Sequence, residues 1–199
     1  MSILTFDTQA FAALSEEIHA SNVLAGWWSD KDGNRKDRNV GELLMLVTSE
    51  LAEAAEGDEL NLLDDKLPHR KMIEVELADT KIRIHDMDGG LGLNLGDAIA
   101  EISRDFILLR GLTTAERLML CVRHVAHAME GDRKKAMSAE YPNRLQISVG
   151  LARCIIEMEH LARILGLDVD GAIVEKRAFN AVRADHQLAA RAAPGGKTY

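Results

Sequence analysis

A chain of 199 residues with net charge −8 can bury roughly 70% of its unfolded surface as one domain or two small repeats, and its acidity excludes nucleic acid as the default partner, since phosphate backbones call for basic patches. Charged residues at 28% and hydrophobic residues at 47% are ordinary for a globular chain, and no apolar run approaches the 18 residues of a membrane span, so the expectation is a cytoplasmic protein without a membrane partner. Three prolines, abundant Ala and Leu, and few aromatic or β-branched clusters point to an all-α fold.

In chain order, the first helix starts near Asp7 or Thr8, turns Phe11, Leu14 and Ile18 inward and stops at Gly26. A polar loop over 27–39 follows, with Trp27 and Trp28 at its entrance; paired Trp serve as core or hinge anchors, or stack on a base. The second helix covers 40–56 and ends at Gly57, read as a left-handed stop. Leu43, Leu46, Glu50 and Glu53 share one line on it, so the two acids continue an apolar stripe and need a cation or basic partner.

A linker through Asp64, Asp65 and Pro68 leads to a third helix over 69–88. Steps of 100° place Glu76, Asp79, Arg83 and Asp86 on one stripe, flanked by Ile73, Leu77, Ile84 and Met87 on one side and by Val75, Ala78 and Ile82 on the other. Lys71, Glu74, Lys81 and His85 form a separate polar face, expected to be the solvated one. A fourth helix is expected over 94–110, and Thr113 with Glu116 forms a capping box that opens the next. Cys121 and Cys154 read as small buried hydrophobes in a reducing compartment.

The acids at Glu50, Glu53, Glu76 and Asp79 form two pairs at i, i+3, each on one helix face. Converged, they offer four carboxylates to a hard divalent cation.

Residues 41–101 align without a gap on 115–175: Gly41 falls on Ala115 and Glu101 on Glu175, a constant offset of 74. Glu42-Leu-Leu-Met-Leu46 answers Glu116-Arg-Leu-Met-Leu120, Pro68 and Arg70 answer Pro142 and Arg144, and Leu91-Gly-Leu93 answers Leu165-Gly-Leu167. The four acids are lost together, to His124, His127, Gly150 and Arg153. The expectation is a helical bundle of two tandem repeats: a site-bearing half over 1–112 and a degenerate half over 113–199. His124 and His127 could bind a transition metal, but Arg153 would oppose a cation.

Glu50-x-x-Glu53 and Glu76-x-x-Asp79, together with the block Asn39-Val-Gly-Glu-Leu-Leu-Met-Leu-Val-Thr-Ser-Glu-Leu-Ala-Glu-Ala and the block Leu77-Ala-Asp-Thr-Lys-Ile-Arg-Ile-His-Asp86, resemble the signature of the MazG-like all-α nucleoside triphosphate pyrophosphohydrolases, relatives of the dimeric dUTPases. Glu175-Lys-Arg-Ala-Phe-Asn-Ala-Val-Arg183 and the closing Gly195-Gly-Lys-Thr-Tyr199 resemble the C-terminal segment of small members. In smaller relatives that segment follows directly on the helix after the second motif, whereas here the degenerate repeat intervenes. The resemblance implies hydrolysis of a (d)NTP to (d)NMP and pyrophosphate, as in nucleotide-pool house-cleaning. Glu50, Glu53, Glu76 and Asp79 would hold Mg²⁺, with Mn²⁺ as a substitute, and Glu50 or Glu53 would orient the water.

Lys176, Asn180 and Arg183, at i, i+4, i+7, are candidates for triphosphate contacts, Arg83 for pairing with a site acid, and Trp28 for the base pocket. The second half could stand in for a partner subunit, and a further homodimer is compatible with this. Two other classes stay open: a nucleotide-binding module without turnover, and a ferritin-like di-iron bundle suggested by Glu157-x-x-His160, although Asp86 stands where the matching His would be. The His85-Asp86 dipeptide is discounted as a metal motif because the two residues project to different faces.

Overall fold

The computed structural model describes residues 6–30, 32, 34–183 and 190. The protein is all-α, a bundle of seven helices among the described residues: α1 Thr8–Leu24, α2 Val40–Glu59, α3 Met72–Leu91, α4 Leu95–Ile102, α5 Thr114–Lys134, α6 Gln146–Leu165 and α7 Val169–Val182. None of these helices is long and apolar enough to cross a membrane. The C-terminal Gly195–Tyr199 block lies outside the described residues.

Local chemistry sets the helix ends. Asp7 caps α1 by accepting from the Gln9 and Ala10 backbone N–H groups, and Thr113 and Glu116 form the expected reciprocal box at α5. α2 does not stop at Gly57. The helix runs through it because a Cβ there would sit 2.8 Å from the Met72 Cβ, so this glycine serves a close approach of α3; the left-handed turn comes later, at Asn61. α4 ends at Ile102 rather than near residue 110, because the chain leaves the helix to stack Phe106 near His160 and to offer the Leu109 carbonyl to Arg117.

The offset of 74 holds in three dimensions. α3 and α6 coincide at both ends, α4 and α7 at their starts, and the hairpin bridge Leu63↔Lys71 returns as Met137↔Leu145. Even the side-chain turn repeats: Asp64 accepts from Lys66 and Leu67 N–H, as Ser138 does from Glu140 and Tyr141.

The halves pack through α2 against α5, which run antiparallel, since Met129 late in α5 meets Gly41 at the start of α2. Each repeat's last helix then crosses over: α7 packs on α3, and α4 packs on α6. Residue 112 divides the repeats along the chain, but not in space. α1 lies across α3 and α4.

These contacts enclose α3 on nearly all sides, which corrects the expected solvated face for all but Lys71, which is exposed. Glu74, Lys81 and His85 are all buried, with His85 at 1% exposure. Their partners come from other elements. Lys81 Nζ reaches Glu159 at 2.6 Å and Asp170 at 2.7 Å, while Glu74 accepts from Arg70 and from the Asp168 N–H. The ring of His85 lies 4.2 Å from Phe11. A polar helix face is thus satisfied by ion pairs inside the protein rather than by water.

Candidate metal centre

The inward stripe of α2 and α3 converges as its helical spacing requires. Glu50, Glu76 and Asp79 each offer an oxygen, all within 4.8 Å of one another. Glu50 and Glu76 are 6% and 5% exposed, so their charges are out of water. Glu53, expected as a fourth ligand, is exposed and stands outside this group, one turn further along α2 on the wall of the same cavity.

Three carboxylates this close, two buried and Asp79 half-buried, cannot all stay charged without compensation. Arg83 provides part of it, its Nε donating to Glu50 Oε1 at 2.5 Å and its Nη2 reaching the same oxygen. Lys176, on α7 and itself buried, places Nζ 2.7 Å from Asp79 Oδ2. Glu76 holds its proton instead, pushed well above the ordinary carboxylate range by burial, by a hydrogen bond with Glu50 and by the charges of Asp79 and Glu50. Burial likewise raises Glu53, with Glu50 adding to it. Oxygen donors held this close fit a hard divalent cation, whose charge would replace the proton and the two side-chain cations.

The carboxylates open onto a cavity of about 690 Å³ bounded by α1, α2, α3 and α7. Arg38, Lys66, Arg83, Lys176, Arg177 and Arg183 put six cationic side chains on its walls. Apolar walls come from Ile18, Leu43, Leu46, Ile82 and Met87. Of the sequence-predicted residues, Lys176, Asn180, Arg183 and Arg83 all line this space, so α7 of the second repeat completes a site founded on the first. The Asn180 Oδ1 is buried without a hydrogen-bond partner among the described residues.

Trp28 does not belong to the cavity. It is 3% exposed, its Nε1 donates to Asp86 at 2.9 Å, and its ring occupies the space that a side chain at Gly90 would need. Its neighbour Trp27 lines the cavity instead. The pair therefore divides the two roles open to it in sequence: Trp28 anchors and Trp27 faces the space. Arg38, Lys66 and Arg177 escaped the sequence reading because the first two sit in connections without periodicity, and the third adjoins a residue already chosen.

The matching region of the second half is closed as well as stripped of acids. At Gly150, which replaces Glu76, a Cβ would lie 2.7 Å from the His124 carbonyl oxygen and 2.8 Å from the Ala128 Cβ, so α5 and α6 touch where α2 and α3 part. His124 is neutral, its pKa lowered to about 4 by burial and the charges of Arg153, Arg123 and His127. Glu157, 2% exposed, pairs with Arg117 at 3.3 Å rather than joining His160, which lies against Phe106. Among the described residues, the group that could hold a metal is Glu50, Glu76 and Asp79. His85 and Asp86 also stay apart, one bonded to Ser15 and the other to His19 and Trp28. No family model, characterised protein or solved structure matches the chain.

Proposed function

We propose that the cavity binds a nucleoside triphosphate together with a divalent cation, Mg²⁺ by the hardness of the donors, and that the chain cleaves it between the α and β phosphates to a monophosphate and pyrophosphate. The observation that carries this reading is one cavity with three converging carboxylates and six cationic side chains on its walls. A triphosphate with its metal is a ligand that needs both. The resemblance of the acid blocks to the MazG-like hydrolases supports the same reaction.

A cation held by Glu50, Glu76 and Asp79 supplies charge neutralisation for the phosphates and acidifies water. Lys176 and Arg83, which neutralise Asp79 and Glu50 here, then turn their donors to phosphate oxygens. Arg183 is placed to add a bidentate contact. Glu53, exposed beside the cluster and with a raised pKa, is suited to take the proton from the attacking water.

The test is pyrophosphate release from a panel of natural and modified nucleoside triphosphates with Mg²⁺ or Mn²⁺. Release from at least one is expected, and Asp79→Asn or Glu53→Gln should lower it by roughly 100-fold or more with the far-ultraviolet circular dichroism unchanged. Tight binding without release would identify a nucleotide-binding module. Neither binding nor release across the panel would end the nucleotide reading.

A further inference from the structure

Among the cavity's cationic groups, Arg38 is placed by the loop rather than by a helix. The loop after α1 folds back on the Trp pair: Ser29 bridges to Arg35, the Lys36 N–H donates to the Trp28 carbonyl at 3.0 Å, and Arg38 Nη1 donates to the Trp27 carbonyl at 2.6 Å. The Arg38 guanidinium also lies 5.7 Å from the centre of the Trp28 ring. Trp28 is fixed in turn by Asp86 and by the space left at Gly90. The guanidinium is therefore held on two sides.

Its Nη2 is buried and finds no hydrogen-bond partner among the described residues, although Arg38 lines the cavity. A buried guanidinium N–H without an acceptor is costly, and a protein that fixes one in this way leaves it for something else to satisfy. Arg38 is tied to the Trp27 carbonyl in the loop after α1, whereas Lys176 sits on Asp79 within the cluster. Arg38 thus stands at the tryptophan end of the cavity, beside Trp27, which offers the flat apolar surface a base needs.

We infer that Arg38 is a specificity-determining residue whose Nη2 donates to an oxygen on the base of the bound nucleotide, favouring uracil, thymine, cytosine and guanine, which carry a ring carbonyl, over adenine, which has none. This rests on the nucleotide reading of the site and deepens it. A phosphate oxygen offers the same acceptor chemistry, and the experiment separates the two sources.

Calorimetric affinities of the full chain would be measured for dATP, dGTP, dCTP, dTTP, dUTP and inorganic triphosphate, with Ca²⁺ in place of Mg²⁺ to hold turnover down. The wild type should bind at least one carbonyl-bearing nucleotide about tenfold or more tightly than dATP, the effect of one charge-assisted hydrogen bond. Arg38→Gln should bring that ratio to within about threefold by weakening the carbonyl-bearing nucleotides by a larger factor than dATP or inorganic triphosphate, and Arg38→Lys should fall between them. Equal weakening of every nucleotide and of triphosphate by Arg38→Gln would overturn the inference in favour of a phosphate contact. Absence of any preference against dATP in the wild type would overturn it without recourse to a variant. If neither nucleotide nor triphosphate binds the folded protein, the nucleotide reading falls and takes this inference with it; binding without an Arg38-dependent base preference overturns this inference alone.

Discussion

His85 is 1% exposed, and its imidazole is bonded to Ser15 Oγ at 2.9 Å. Ser15 gives its single proton to Asp88 Oδ2, so its oxygen accepts from His85 Nδ1–H, which sets the tautomer. Burial lowers this histidine to about 3, with the Lys81 and Arg177 charges lowering it further and Asp170 opposing them. Between that value and the unfolded value of about 6.5, the unfolded chain binds a proton that the folded chain does not, so stability falls as pH falls. The slope is up to about 1.4 kcal/mol per pH unit. Thermal midpoints measured from pH 7 to pH 4 should drop less steeply in His85→Gln than in the wild type, and identical slopes would remove His85 from the account. The sequence placed His85 off the acidic stripe, and it is off it. What the sequence could not supply was Phe11 and Ser15, which come from a helix 70 or more residues away.

At the scale of the helices, α7 is the element the second repeat lends to the site, and it is fastened by Val169, Ala172 and Ile173 in the core and by a set of ion pairs. Arg70 holds Asp168 and Glu175, Lys81 holds Asp170, and Lys176 holds Asp79. Arg70 and Lys81 are largely buried while Asp168 and Asp170 are mostly exposed, so each contact is worth less than a fully buried pair. Arg70→Ala or Lys81→Ala should cost about 1–2 kcal/mol and selectively speed amide exchange in α7, leaving α5 and α6 protected. Uniform acceleration across the bundle would show that α7 has no separate fastening. Periodicity made α3 legible as a helix with an inward acidic stripe. It misjudged most of the opposite face, because a 100° projection describes one helix in water and α3 has neighbours on nearly every side. The early end of α4 was hidden for a related reason: its cause is a set of contacts with Arg117 and His160 rather than a local stop signal.

For the whole molecule, the crossing of α7 onto α3 and α4 onto α6 means that neither repeat keeps its own last helix. Cutting between the repeats would expose the α2–α5 seam and remove one wall from each half. Unfolding in denaturant, followed by Trp fluorescence from the first half and by exchange of α6 amides in the second, should give coincident transitions. A resolved intermediate with one half folded would contradict the interlocking. The duplicate was legible in the sequence because its matches fall on turns and core positions at one offset. The exchange of last helices was not, since an offset records correspondence and carries no information about which copy packs on which.

The crossing has a consequence for how the two halves can diverge. In an assembly of identical subunits, whatever residue lies over the acids in one copy must lie over the equivalent position in the other. Here the two positions are separate letters of one chain. Lys176 reaches Asp79, while its counterpart Ile102 is buried in the apolar core. A lysine at both positions would put an ammonium into the apolar core around Ile102, with no second carboxylate cluster among the described residues to receive it. Fusion therefore lets one helix specialise for charge while its twin specialises for packing, and among the described residues one converged carboxylate cluster stands on a scaffold that has the shape of two.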